Sequence, residues 1–227
     1  MLLFLDSALP DEITLALEEW DVDGITTNPR HIAAAGRPLF PLLHEIARLV
    51  EGTDKPVSVE VDPHLTDWRE IVRQAQQLAE LSPNFVVKIG ASEGGMRAVR
   101  ELSRLGIRTN VTLVFSVAQA WLAARSGAAY VSPFIGWKEM HGDDGMQLVA
   151  DVAQLLHVQD YPTQVIAAAV RNAQHIAAAA LAGAHCVTAG AGVIRDSFRN
   201  PYTDMGVQLF GDAWERTVPR HSGEPGG

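Results

Sequence analysis

The sequence predicts one (β/α)₈ barrel, an α/β fold in which eight parallel strands close on themselves inside a ring of helices. Three observations carry that reading. Eight short apolar runs alternate with longer stretches of helical period, the 227 residues suit a barrel of that size, and no linker rich in Pro, Gly or Ser divides the chain. In order, the runs begin with Leu2–Leu5, stopped by Asp6, and Asp23–Thr26, which leads into Thr27-Asn28-Pro29. Val57–Val61 follows, then Phe85–Ile89, apolar except for Lys88, and Arg108–Val114, interrupted by Asn110 and Thr112. Tyr130–Pro133, Gln164–Val170 and His185–Thr188 complete the eight.

Between the runs, Asp67–Leu81 places Trp68, Ile71, Val72, Ala75, Leu78 and Ala79 on one stripe, the pattern of a surface helix. Ser116–Arg125 and Ala173–Leu181 are alanine-rich and helix-prone. An open doubly wound sheet would want a glycine-rich dinucleotide turn after an early strand. The one candidate, Gly190-Ala191-Gly192, follows the last run and has no third glycine at Arg195. Residues 1–218 therefore read as one barrel with a C-terminal helix, whose stripe Val207, Phe210 and Trp214 docks on this barrel or on a neighbour. Residues 219–227 lose apolar periodicity and read as a mobile tail.

Eighteen Lys and Arg against 27 Asp and Glu give a net charge of −9, a field that repels polyphosphate, so nucleic acid is not an expected partner. The single cysteine, Cys186, excludes an intrachain disulfide and a cysteine cluster for zinc; it reads as a small buried hydrophobe in a cytoplasmic protein. The apolar start ends at Asp6 with no basic flank, too short for a signal peptide or a membrane span.

In a parallel barrel the C-terminal strand ends converge on one face, whatever their separation in sequence. Asp6, Thr26, Asn28, Glu60, Lys88, Asn110, Thr112, Ser132 and Phe134 all fall at or near such ends. Lys88 emerges from Phe85-Val86-Val87, neighbours that disfavour an ammonium ion and make the amine a usable nucleophile. Such an amine attacks a sugar ketone, forms a Schiff base and serves as an electron sink while an adjacent carbon–carbon bond breaks or forms. Asp6 and Glu60 supply two carboxylates for the proton transfers. An isolated strand-end lysine usually only snorkels to solvent, so it is the convergence with Asp6 and Glu60 that gives Lys88 its reading.

These residues lie in longer segments: Phe4-Leu5-Asp6-Ser7-Ala8, Gly24-Ile25-Thr26-Thr27-Asn28-Pro29, Val57-Ser58-Val59-Glu60-Val61, Val86-Val87-Lys88-Ile89, Asn110-Val111-Thr112-Leu113-Val114-Phe115-Ser116 and Val131-Ser132-Pro133-Phe134-Ile135-Gly136. Together and in this order they resemble the transaldolases, and by length the small transaldolase and fructose-6-phosphate aldolase branch. The resemblance runs from Phe4 to about Trp214. It implies a barrel without metal or organic cofactor that carries a dihydroxyacetone unit from a ketose phosphate to an aldose. Lys88 would form the Schiff base, Asp6 would assist proton transfer, and Glu60 and Thr112 would hold the water of carbinolamine chemistry. Thr26 and Asn28 would line the mouth, while Asn110 and Ser132 would bond the three-carbon unit. The family also implies pentamers or decamers in which a C-terminal helix reaches a neighbour.

Glu60, Asn110 and Phe134 resemble the transferase branch; the aldolase branch typically has glutamine, an apolar residue and tyrosine there. A phenylalanine offers no proton where a tyrosine hydroxyl would, which favours transfer over simple release. Two departures concern the phosphate. Trp137 stands where the family usually has a phosphate-gripping arginine, followed by Lys138, and Ala169 replaces a usual serine while Arg171 is kept. Trp cannot make the bidentate contact of arginine, so either Lys138 or a loop amide compensates or the substrate differs. Pentose-phosphate metabolism is the default setting; a lyase, or a transaldolase recruited to specialised sugar biosynthesis such as an octose phosphate for an antibiotic, are the alternatives. His141-Gly142-Asp143-Asp144 fits no metal-site spacing, and the remaining histidines, His31 among them, read as surface or core.

Overall fold

The computed structural model describes residues 1–217, so the expected tail at 219–227 lies outside the described residues. Eight strands close in sequence order: β1 Leu2–Asp6, β2 Gly24–Thr26, β3 Val57–Glu60, β4 Phe85–Gly90, β5 Thr109–Val114, β6 Tyr130–Pro133, β7 Gln164–Ala167 and β8 Cys186–Ala189. All neighbours are parallel, and β8 returns to β1 through Leu2↔Cys186 and Phe4↔Thr188. The helices are α1 Pro10–Glu19, α2 Pro29–Ala34, α3 Leu39–Leu49, α4 Trp68–Ala79, α5 Glu93–Arg104, α6 Val117–Arg125, α7 Ile135–Glu139, α8 Gly145–Val158, α9 Ala173–Leu181, α10 Ala191–Ser197 and α11 Pro201–Thr217.

Strand periodicity decides what reaches the barrel axis. Leu5, Ile25, Val57, Val59, Val87, Val111, Val131, Val165 and Val187 share one buried core with helix residues such as Ile13, Ile46, Ile71, Val99 and Val152. Side chains alternate across a strand, so their neighbours Asp6, Thr26, Ser58, Glu60, Lys88, Asn110, Thr112, Ser132 and Thr188 turn inward. The floor is apolar: Phe4, Ile166 and Cys186 pack together, with the Tyr130 ring edge-on to Phe4 at 6.4 Å between centroids. Gly24 makes room for this floor, since a Cβ there would lie 2.8 Å from the Phe4 ring.

Among the eight runs, one boundary differs from the sequence reading by more than a residue. The seventh run ends at Ala167 rather than Val170, because Ala169 takes a left-handed φ of 58° and turns the chain out of the strand after the single bridge Phe134↔Ala168. In β5 the register shifts between Val111 and Val114, where Leu113 has a φ of 57°. Of the two docking places expected for Val207, Phe210 and Trp214, this barrel and a neighbour, the first is not seen. Helix α11 has no buried residue, and these three side chains are about 70% exposed (67%, 72% and 70%). No described helix is long and apolar enough to cross a membrane.

Candidate active site

A cavity of about 540 Å³ opens at the C-terminal ends of the strands. Its walls include Lys88, Asp6, Glu60, Thr112, Thr26, Asn28, Ser132, Phe134, Trp137 and Arg171, ten of the eleven residues expected from sequence. The eleventh, Asn110, does not reach it. That residue is fully buried one step behind the wall, where its Oδ1 accepts from Ser132 Oγ at 2.8 Å and its Nδ2 donates to Ser58 Oγ at 3.0 Å. Asn110 thus holds the hydroxyl of the wall residue Ser132.

Registers Glu60↔Lys88 and Lys88↔Asn110 make these side chains neighbours across β3, β4 and β5. The Lys88 side chain is 6% exposed, its Nζ lies 3.5 Å from Glu60 Oε2, and it donates to the Thr27 carbonyl at 3.0 Å. A cation so removed from water needs such partners. Burial pushes the Glu60 carboxyl above its ordinary 4.5, the nearby Lys88 charge and hydrogen bond pull it down, and the Asp6 charge adds to the rise. Desolvation wins, so Glu60 holds its proton more readily than a solvated glutamate.

Asp6 stands at the C-terminal end of β1. Thr26 Oγ1 donates to Asp6 Oδ1 at 2.8 Å and lies 2.6 Å from Thr188 Oγ1. Thr26 has one hydroxyl proton and gives it to Asp6, so Thr188 is the donor in the second bond and the chain runs Thr188 to Thr26 to Asp6. Asn28 caps α2, its Oδ1 accepting from the Arg30 and His31 amides at 2.9 and 3.0 Å. That cap brings His31 Nδ1 to 3.5 Å from Asp6 Oδ1. Thr112 Oγ1 is buried on the cavity wall with no hydrogen-bond partner among the described residues.

The outer wall is aromatic. Trp137 stacks on Phe115 at 6.0 Å and meets Phe134 edge-on at 5.6 Å. Lys138 does not take the place of an arginine at 137, for its Nζ is paired with Asp143 Oδ2 at 2.9 Å and it lies off the cavity wall. Asp144 of the same loop caps α8 through the Gln147 amide, and His141 Nδ1 bonds the Trp137 carbonyl oxygen, so this segment serves local structure. Arg171 lies against Gly136, and its guanidinium contacts the Met140 sulfur.

Sequence reasoning missed Arg30, His31 and Thr188, all on the cavity wall. Thr188 is the inward residue of β8 next to Phe4 of β1, a signal the alternation does carry. Arg30 and His31 follow the Asn28-Pro29 turn, and His31, expected at the surface or in the core, instead faces a carboxylate in the mouth.

The family described as transaldolase/fructose-6-phosphate aldolase matches residues 3–217. A protein of Priestia megaterium named 6-deoxy-6-sulfo-D-fructose transaldolase is 47% identical over 216 residues, covering 95% of this chain and 96% of that one. A probable transaldolase of Dictyoglomus turgidum is 43% identical over 220 residues, 97% and 100% of the two chains. Among solved structures, a putative deoxyribose-phosphate aldolase from Coccidioides immitis shares the fold, with a TM-score of 0.59 at 14% identity over 85% of this chain and 82% of that one. The chain belongs to the transaldolase/fructose-6-phosphate aldolase family and is an enzyme of its transaldolase kind.

Proposed function

We propose that the protein moves a dihydroxyacetone unit from a ketose donor to an aldose acceptor through an imine on Lys88. The observation that carries this reading is a buried amine, 3.5 Å from a carboxyl whose proton affinity is raised, at the closed end of a sugar-sized cavity. Lys88 passes a proton to Glu60, the free amine adds to the C2 carbonyl, and the carbinolamine hydroxyl takes that proton back and leaves as water, giving an iminium. Glu60, with Thr112 on the same cavity wall, exchanges the protons of that step. The C3–C4 bond then breaks: its electron pair flows into the iminium to give an enamine, and the O4 proton passes to Asp6. An acceptor aldehyde takes the place of the departed one, the enamine carbon attacks it, and Asp6 returns the proton to the new alkoxide. Water finally releases the product and restores Lys88.

The hydrogen-bond chain from Thr188 and Thr26 supports Asp6 in that exchange by fixing its orientation. Phe134 places no hydroxyl against the enamine, which disfavours its protonation to free dihydroxyacetone.

The resemblance alone points to a ketose phosphate as donor. Trp137 and Ala169 remove two groups suited to a dianionic phosphate while Arg171 stays, and a singly charged sulfonate asks for fewer donors. The name of the Priestia relative agrees, so 6-deoxy-6-sulfofructose is the favoured donor and fructose 6-phosphate the second. Each ketose, supplied with and without an aldehyde, tests the reading. Transfer requires product only when the acceptor is present; free dihydroxyacetone from the ketose alone would make the enzyme a lyase. The unburied apolar stripe of α11 supports a homo-oligomer, a pentamer or decamer by resemblance.

A further inference from the structure

Of the ionisable groups on the cavity wall, Lys88 faces Glu60, and Asp6 is met by Thr26 and His31. Two guanidinium groups remain at the rim, Arg30 at the start of α2 and Arg171 beyond β7. Arg171 is partly engaged by the Met140 sulfur. Arg30 has no ion pair, and its guanidinium makes no hydrogen bond, among the described residues. Its backbone is nonetheless fixed, the amide donating to Asn28 Oδ1 at 2.9 Å just after Pro29. An anchored arginine with an unengaged fork, in a chain of net charge −9, is a site for an external oxyanion.

The reaction sets the direction in which a substrate points. Lys88 holds C2, and Asp6 must meet the hydroxyl on C4, so the carbons beyond C4 continue on the Asp6 side of the cavity. His31, 3.5 Å from Asp6 Oδ1, and its neighbour Arg30 line that side. The terminal group on C6 is two carbons beyond C4, at the height of the rim. Trp137 has no charge to offer there, and Lys138 is paired with Asp143.

We infer that Arg30 is a specificity-determining residue, binding the terminal phosphate or sulfonate of the departing and incoming aldehydes. This rests on the Schiff-base reading of Lys88. The test compares the parent with Arg30→Gln, which keeps amide donors and loses the charge on an exposed side chain. With unphosphorylated fructose as donor, which has no charged terminus, three acceptors are used: neutral glyceraldehyde, glyceraldehyde 3-phosphate and 2-hydroxy-3-sulfopropanal. For the charged acceptors kcat/KM falls about tenfold or more, mostly through KM, while glyceraldehyde is unchanged. The charged acceptor with the larger fall identifies which oxyanion the site serves. Equal losses on all three, or none, overturn the inference. Borohydride trapping on the parent separates the two layers: an adduct at Lys88 with unaltered charge preference sinks only Arg30, whereas no adduct sinks the underlying reading as well.

Discussion

Replacing Asn110 by alanine removes two buried hydrogen bonds and strands both partners, the Ser132 hydroxyl and the Ser58 oxygen, at 2% and 3% exposure. Each bond is worth about 1 kcal/mol net, and a buried group left without a partner costs about 1–3 kcal/mol. With partial relaxation, the variant loses about 3 kcal/mol. At a urea slope of about 3 kcal/mol/M for a chain of this size, the midpoint falls by about 1 M at fixed protein concentration. Ser132→Ala alone removes one bond and costs less. Made on top of Asn110→Ala it costs almost nothing further, a coupling of about 1 kcal/mol. A midpoint shift below about 0.3 M with an unchanged slope, or strict additivity of the two replacements, would refute the claim that these residues form one polar chain.

Glu60→Gln removes a carboxyl whose folded-state pKa lies above 4.5 because burial disfavours its ionised form. That penalty is absent below the ordinary glutamate range and grows as pH rises to the raised value, so the variant gains on the parent in thermal stability over that interval and holds the gain above it. A gap that does not change with pH contradicts the assignment. Cys186 is fully buried and its thiol is pushed up to about 12, so a disulfide reagent near pH 8 labels it only after unfolding. Rapid labelling of the native protein would show the barrel floor to be open. A chain ending at Asn200 loses α11, which contributes no buried residue, so the barrel melts as before while sedimentation reports a smaller assembly. An assembly of unchanged size removes α11 from the interface.

The barrel was legible because its two layers obey one rule, apolar residues toward the helices and polar residues toward the mouth. Lys88, Glu60 and Asp6 could be placed at one mouth from that rule alone, since each is an inward residue at or near the C-terminal end of its strand. Depth was harder to read. Asn110 and Thr112 both point inward on β5, yet two residues along the strand separate a buried positioning group from a wall residue. The early end of β7 was hidden because nothing in Ala167-Ala168-Ala169-Val170 announces a left-handed residue. Arg30 and His31 were missed for a related reason: a capped turn, not a strand, carries them to the mouth, and turns have no periodicity to extrapolate. Lys138 looked like a substitute cation in sequence, but Asp143, five residues on, claims it.

Borohydride reduction in the presence of a ketose, followed by peptide mass spectrometry, tests the imine on Lys88 most directly. The account predicts a reduced three-carbon adduct on Lys88, its absence in Lys88→Arg, and loss of transfer activity in that variant. An active Lys88→Arg enzyme, or an adduct on a different lysine, would contradict it.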